Sequence, residues 1–225
     1  RIRFPSAMTA PPLDSRTCLL IVDAQYGFMP GGGLPVAGGD AIVPIINRIA
    51  PRFTNVVLTQ DWHPADHVSF AINHPGKHPY ETITLPYGEQ VLWPKHCVQG
   101  TPDAALHAEL QVAQAQLIIR KGFHQHVDSY SAFVEADRQT STGLAAYLQA
   151  RGITHLYVCG LATDYCVAWS ALDARAAGFE ATVIEDACRA IDLNGSLAKA
   201  WADMAAAGVE RVTSDQIQGK SAAGA

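Results

Sequence analysis

The chain has 225 residues, enough for one domain with a well-buried core. It is 48% hydrophobic and 16% charged, a balance typical of a globular protein rather than a disordered one. The net charge is −5, and no apolar run approaches the roughly 20 residues that cross a bilayer, so we expect neither a nucleic-acid partner nor a membrane partner.

The N-terminal residues and the cysteines bear on organisation and location. Residues 1–16 contain prolines and lack the long apolar stretch of a signal peptide, so they predict a flexible arm ahead of a single domain over residues 17–225. The five cysteines are odd in number and have no C-x-x-C spacing. This favours free thiols in a reducing, cytoplasmic setting.

Short runs rich in Val, Ile and Leu predict the strands of a sheet. They do not alternate polar with apolar residues, which is typical of strands covered on both faces, as in parallel sheets. The runs are "CLLIVDA" (18–24), "NVVLTQ" (55–60), "QLIIRKG" (116–122), "HLYVCG" (155–160), "ATVIEDA" (181–187) and a weaker "GVERVTS" (208–214).

Alanine-rich stretches with helical spacing lie between these runs, and glycines that would stop a helix follow several of them. Because strand and helix alternate, the sequence predicts a single doubly wound α/β domain. Its mostly parallel six-stranded sheet would be flanked by helices in a Rossmann-like, three-layer arrangement. The predicted helices cover roughly 40–52, 102–113, 140–151, 163–177 and 194–207.

One segment breaks this alternation. Residues 61–101 have no clear periodicity and contain five histidines and five prolines. A loop this long in a compact domain is usually functional or disordered, and its aromatic and histidine content favours a functional role.

Reactive side chains follow four predicted strands in succession. Asp23 ends the first, Asp61 and His63 follow the second, Lys121 ends the third, and "GLATDYC" with Cys166 follows the fourth. In open parallel sheets, ligands bind beyond the carboxyl ends of the strands. We therefore expect these side chains to meet at one edge of the sheet.

Three of these residues suggest a mechanism. Thr163 is predicted to cap a helix, which would place Cys166 in the first turn, where the helix N-terminus lowers the pKa of a thiol. Taken singly, Asp23 is as easily a turn residue, Lys121 a lysine reaching solvent, and Cys166 a small packing residue. Together they predict a Cys166 nucleophile, Asp23 as its base, and Lys121 stabilising the thiolate.

A second group suggests a metal. Asp61 and His63 are two apart in an extended segment, so their side chains can share one ion, and His96 could supply a third ligand. Two imidazoles and a carboxylate suit one divalent metal ion with open positions. Zinc is our first expectation, with iron or manganese as alternatives.

These residues, in this order, resemble the nicotinamidase (pyrazinamidase) family of the isochorismatase-like hydrolases. The resemblance extends from about Thr17 to Ser214 and implies a doubly wound α/β enzyme. It rests on six ordered blocks: "LLIVDAQYGFMPGGGLPV", "TQDWHPADHVSF", "LWPKHCVQGTPDAALH", "IIRKG", "DSYSAF" and "CGLATDYCV".

The resemblance implies a metal-containing cysteine amidohydrolase in NAD salvage. Such an enzyme hydrolyses nicotinamide, and also pyrazinamide, to the acid and ammonia through a thioester. We expect the small amide to be its ligand and the chain to form a homo-oligomer. Carried over by position, the catalytic residues are Asp23, Lys121 and Cys166, and the metal ligands are Asp61, His63 and His96.

The resemblance also implies details of the substrate pocket. A cis peptide before Ala162 would aim the backbone N–H of Ala162, with that of Cys166, at an oxyanion. Phe28 and Trp93 match positions that flank the substrate ring. His67 is the candidate for a further metal ligand found in some members.

One stretch departs from the family pattern. The family usually has "QNDF" where this chain has "QYGF", so Tyr26 and Gly27 replace an asparagine and an acid. The departure puts the local hydrogen bonding in doubt and leaves the catalytic residues intact.

Other functions compete with this one. A relative that cleaves a carbamoyl or ureido compound would share the Asp-Lys-Cys set but generally lack the metal residues. A non-haem iron oxygenase would use two histidines and a carboxylate and leave Lys121 and Cys166 without a role. An inactive binding protein would not need an intact nucleophile, base and lysine.

Overall fold

The computed structural model describes residues 13–218. Their central feature is a six-stranded sheet in the order β5-β2-β1-β6-β7-β8, with every neighbouring pair parallel. This confirms the predicted sheet. Its strands are β1 (Thr17–Val22), β2 (Asn55–Asp61), β5 (Leu117–Lys121), β6 (His155–Leu161), β7 (Glu180–Arg189) and β8 (Glu210–Val212).

The burial of the strands explains why the sequence shows continuous apolar runs. All residues of β1 and β6, at the centre of the sheet, are buried, because helices and loops cover both faces. In β5, at one edge, buried and exposed residues alternate. The central runs are therefore the stronger strand signals, and the edge runs the weaker ones.

Four helices flank the sheet: α1 (Ile42–Ile49), α2 (Leu144–Ala150), α3 (Ala168–Ala176) and α4 (Ser196–Ala206). They match four of the predicted helices. Gly152, Gly178 and Gly208 follow α2, α3 and α4 with positive φ, as helix-stopping glycines do.

The predicted helix over residues 102–113 is wrong. Only a short 3₁₀ turn forms there, Pro102–Ala104. The backbone beyond it pairs with the segment after β1: Tyr26 N–H donates to the Ala105 carbonyl at 3.1 Å, and His107 N–H donates to the Ala24 carbonyl at 2.9 Å. These long-range hydrogen bonds override the local preference for helix.

The long segment 61–101 contains a hairpin that its sequence did not predict. Strands β3 (Thr82–Leu85) and β4 (Gly88–Val91) pair antiparallel outside the main sheet. Both strands are short and largely exposed, so they lack the apolar run that marks a buried strand.

The chain order creates a switch point between β1 and β6. From β1 the chain proceeds outward through β2 to β5, and it then returns to β6 and proceeds the other way through β7 to β8. A crevice opens where the strand order reverses, beyond the carboxyl ends. The ends of β1, β2, β5 and β6 all border it.

Two further expectations concern the chain ends and membranes. Residues 1–12 of the predicted arm and residues 219–225 at the end of the predicted domain lie outside the described residues. Within residues 13–218, no helix has the length and apolar character needed to cross a bilayer.

Candidate active site

The structure brings the four strand ends together, as the sequence predicted. Asp23 directly follows β1, Asp61 ends β2, Lys121 ends β5, and Cys166 lies in the turn after β6. All four side chains are buried.

The ammonium of Lys121 is the centre of this cluster. It lies 2.6 Å from Asp61 Oδ1, 2.8 Å from Asp23 Oδ2, 3.0 Å from the Ser129 carbonyl and 3.3 Å from Cys166 Sγ. Burial lowers the pKa of Lys121, but the two carboxylates raise it by a larger amount, so the net pKa is well above the usual value. The lysine therefore stays charged beside the thiol.

Both oxygens of Asp23 have polar neighbours. Its Oδ1 accepts a hydrogen bond from the Thr59 hydroxyl at 2.6 Å. Its Oδ2 lies 2.8 Å from Lys121 Nζ in a buried ion pair. The same carboxylate reaches within 4.8 Å of Cys166 Sγ, so it lies beside the thiol.

Burial shifts the pKa values of both the acid and the thiol. Burial and the neighbouring Asp61 raise the pKa of Asp23, although the Lys121 ammonium lowers it, so the net pKa is above the usual value. Burial also raises the pKa of Cys166 well above the ordinary thiol value, with Lys121 opposing the rise and Asp23 adding to it. The net pKa of Cys166 is therefore raised, the opposite of the lowering that a helix N-terminus predicted.

The turn that carries Cys166 also differs from the prediction. Residues Thr163–Val167 form a π-helical turn, so Thr163 lies inside the turn and makes no N-cap hydrogen bond. The Ala162 carbonyl accepts the N–H of both Tyr165 (3.2 Å) and Val167 (3.1 Å). The expected cis peptide between Leu161 and Ala162 is present.

The three predicted metal ligands also meet. Asp61 Oδ2 lies 3.2 Å from His63 Nε2 and 3.7 Å from His96 Nε2, and all three donor atoms lie within 4.8 Å of one another. Because Asp61 also bonds Lys121 through its other oxygen, this carboxylate links the two groups of residues.

Backbone carbonyls orient both imidazoles. His63 Nδ1 lies 2.7 Å from the Gly122 carbonyl, and His96 Nδ1 lies 2.6 Å from the Pro94 carbonyl. A carbonyl can only accept, so Nδ1 carries the proton and the lone pair of Nε2 faces Asp61. These residues therefore fit one divalent metal ion with open coordination positions.

His67 lies behind this group. Its ring packs against that of His63 with centroids 4.1 Å apart and planes tilted by 31°. Both nitrogens have protein partners: Ser69 Oγ at 2.7 Å and the Val127 carbonyl at 3.1 Å. His67 thus packs against the candidate ligand His63, and we do not assign it as a ligand.

The structure explains the departure at Gly27. A Cβ there would lie 2.5 Å from Cys97 Sγ and 2.7 Å from Asp103 Oδ2, so no side chain fits. Asp103 fills this space, and its two oxygens accept the backbone N–H groups of Gly33 (2.9 Å) and Cys97 (2.7 Å). An acid from another part of the chain thus occupies the space beside Gly27.

A cavity with about 330 Å³ of empty space, part of it open to solvent, lies above the cluster. The residues predicted to flank a ring, Phe28 and Trp93, both line it. Trp93 packs edge-on against Tyr165 with centroids 4.9 Å apart, and its Nε1 donates to the Tyr130 hydroxyl at 2.9 Å. The lining residues that sequence reasoning did not identify are Leu34, Asp128, Tyr130, Tyr165 and Ile191.

Two of these five lining residues lie at positions that the sequence pattern could have pointed to. Asp128 and Tyr130 lie in "DSYSAF", after the strand that ends in Lys121, so position alone could have suggested them. Leu34 and Ile191 lie in loops far from the reactive residues in sequence and gave no signal.

The sequence matches a known family and known proteins. Residues 17–216 match the isochorismatase domain. The chain is 62% identical to the nicotinamidase of Acinetobacter baylyi over 88% of this chain and 93% of that protein. It is 42% identical to the nicotinamidase of Escherichia coli over 87% of this chain and 93% of that protein.

Solved structures agree with these sequence matches. A nicotinamidase/pyrazinamidase from Acinetobacter baumannii has a TM-score of 0.89 at 62% identity, covering 90% of this chain and 98% of that one. A protein of L. infantum in complex with nicotinate has a TM-score of 0.81 at 39% identity, and the match covers 92% of this chain and 98% of that one. A Pyrococcus horikoshii pyrazinamidase in complex with zinc has a TM-score of 0.71 at 35% identity, and the match covers 88% of this chain and 99% of that one.

The Gly122 position yields a test of the metal group. Gly122 has φ +67°, and a Cβ there would lie 2.5 Å from the His63 ring, whereas Gly152 has φ +69° and open space around it. Both alanine variants carry similar backbone strain, of about 1–2 kcal/mol. Only Gly122→Ala should displace His63 and weaken zinc binding, by about 10- to 100-fold.

Zinc titration of the purified variants measures this effect. Gly152→Ala is the matched control and should bind zinc as the wild type does. Equal zinc affinity in the two variants would show that His63 is not a ligand.

Proposed function

The chain belongs to the isochorismatase family, and on that premise we propose that it is a nicotinamidase, which hydrolyses nicotinamide to nicotinate and ammonia. One observation carries the proposal: a buried lysine pairs with a carboxylate and contacts a thiol at the base of a cavity lined by aromatic rings. The nicotinamidases at 62% and 42% identity support it.

The first half-reaction forms a thioester. Cys166 Sγ attacks the amide carbon while its proton passes to the carboxylate of Asp23, whose raised pKa favours accepting it. The Lys121 ammonium stabilises the developing thiolate. Asp23 then gives the proton to the amide nitrogen, the C–N bond breaks, and ammonia leaves.

Backbone N–H groups are the proposed oxyanion donors. Ala162 and Cys166 both line the cavity at the turn after β6, and we assign their N–H groups to the oxygen of the tetrahedral intermediate. Donors held by the backbone need no reorganisation when charge develops on that oxygen.

The second half-reaction releases the acid. A water molecule gives a proton to Asp23 as its oxygen attacks the thioester carbon. The C–S bond then breaks, and the sulfur regains a proton from Asp23. The carboxylic acid gives its own proton to solvent and leaves as nicotinate, and the site returns to its starting protonation state.

The remaining residues hold the ring. Phe28 and Trp93 would pack against its faces, so pyrazinamide, of the same size, should also fit. Asp61, His63 and His96 would hold one divalent ion, zinc by preference with iron or manganese as alternatives. When bound, that ion would supply a positive site for the ring nitrogen.

The competing functions explain less of the site. An iron oxygenase would leave the Lys121–Cys166 contact at 3.3 Å without a role. A carbamoyl or ureido amidase would not need the Asp61, His63 and His96 group, whose donors converge here. The matches at high identity support nicotinamide hydrolysis and not these alternatives.

The first test is ammonia release from nicotinamide by the purified chain. Cys166→Ala should abolish it, because Cys166 is the thiol that lines the cavity and contacts Lys121, at 3.3 Å. Cys18→Ala, which changes a buried cysteine of β1 outside the cavity, should keep most activity. A chelator should also suppress turnover. Substantial activity in Cys166→Ala would refute the nucleophile assignment.

The second test uses Asp23→Asn, for which two readouts should move in opposite directions. Turnover should fall by about 10² or more, because the amide cannot take the thiol proton. Since Asp23 raises the pKa of Cys166, its loss should lower that pKa and speed alkylation by iodoacetamide near neutral pH.

The measurement is the alkylation rate of Cys166 against pH, followed by peptide mapping. In the wild type the rate should rise only above the ordinary thiol pKa. An inflection below that value, or slower alkylation of Asp23→Asn, would contradict the proposed electrostatics.

The third test asks whether the ring nitrogen is recognised. Benzamide has the shape and amide of nicotinamide but no ring nitrogen, so its kcat/KM should be lower by up to about 10⁴. Pyrazinamide keeps a nitrogen at that position and should be accepted. Benzamide turnover within a few-fold of nicotinamide, or a His63→Ala variant that keeps its preference after losing metal, would argue against this role.

A further inference from the structure

The cavity contains a third buried carboxylate that the reaction above does not use. Asp128 is 3% exposed and lines the cavity together with Cys166. Its Oδ2 accepts a hydrogen bond from Gln90 Nε2 at 2.9 Å, and its Oδ1 accepts the Ser129 N–H at 2.8 Å. Both partners are amides that donate, so both oxygens act as acceptors, as in an ionised carboxylate.

The charge of Asp128 has a different environment from the charges of the other two buried carboxylates in the site, Asp23 and Asp61. Asp23 and Asp61 each pair with the Lys121 ammonium, at 2.8 and 2.6 Å. Over residues 13–218, Asp128 forms no ion pair with a lysine or arginine. Donor nitrogens of His63 and His67 lie within 4.8 Å of it, and His63 belongs to the group that would hold the divalent ion. Asp128 therefore adds a negative charge to the cavity wall, opposite in sign to Lys121 and to that ion.

We propose that Asp128 makes this cavity reject carboxylates. It favours the neutral amide over the acid product, promotes release of that product, and disfavours amides that carry a carboxylate elsewhere on the molecule. The inference rests on the proposed function, because that reaction turns a neutral ligand into an anion in the same cavity. Lys121 attracts the new carboxylate, and Asp128 opposes that attraction.

The expected effect is large because the repulsion acts in a site shielded from water. Two like charges several ångströms apart at an effective dielectric of about 20 repel strongly enough to weaken binding by roughly 10- to 100-fold. A neutral ligand of the same shape has no such penalty. Asp128 thus separates ligands by charge rather than by size.

The test compares inhibition by nicotinate with the KM for nicotinamide. In Asp128→Asn the inhibition constant of nicotinate should fall by about 10-fold or more, while the KM for nicotinamide changes only about 2-fold. The affinity for 3-pyridinemethanol, a neutral ring of similar size, should also stay near the wild-type value. Asp128→Glu keeps the charge and should keep the wild-type inhibition constant, whatever its turnover.

Controls separate charge in the cavity from other effects. Glu109→Gln removes one negative charge from an exposed position and should change neither constant. Equal changes in the affinities for nicotinate and 3-pyridinemethanol in Asp128→Asn would overturn the proposal, because they would indicate a change in the shape of the cavity. Metal loss accompanying the altered nicotinate affinity would also overturn it, because Asp128 would then act through the metal group.

Two further measurements keep the proposal testable. If Asp128→Asn does not fold, the wild type should still bind nicotinate more weakly than 3-pyridinemethanol, and the reverse order would refute the proposal. If the wild type releases no ammonia from nicotinamide, the proposed function fails. Calorimetric titration with nicotinate then compares wild type and Asp128→Asn directly, and equal affinities would overturn the role of Asp128.

Discussion

The buried ammonium of Lys121 is the interaction on which the rest of the site depends. It lies between the carboxylates of Asp23 and Asp61 with no solvent contact. Removing one member of such a buried group typically costs about 3–5 kcal/mol, a large part of a domain's total stability. Because one carboxylate faces the thiol and the other faces the imidazoles, the two halves of the site are held in one rigid arrangement.

The parts predictable from sequence are those that local pattern encodes. Apolar runs marked the buried strands, and reactive residues at their ends, such as Asp23 and Lys121, met as expected because parallel strands end at one edge. The segment 102–113 has helical spacing but forms no helix, since its backbone bonds to the residues after β1. Asp103 likewise acts on Gly33 and Cys97, which its sequence neighbourhood does not reveal.

The electrostatics of the site needed the structure. The prediction for Cys166 considered the helix terminus, whereas burial and the neighbouring Asp23 raise the pKa of this thiol. Burial depth is a property of the assembled cavity, and so are walls such as Leu34 and Ile191, which come from separate loops. Sequence identified the candidate reactive side chains, and tertiary structure determines their proton affinities and what surrounds them.

The position of Lys121 on β5 also bears on the integrity of the sheet. In the described part of the chain β5 is an edge strand, and Ile118 on it is 50% exposed. Edge strands are where sheets peel and where other chains add to form aggregates. Peeling β5 would withdraw the ammonium and leave two carboxylates facing each other in a dry interior. The ion pairs of Lys121 with Asp61 and Asp23 therefore also tie an edge strand to β2 and to the segment after β1, and they oppose its local unfolding.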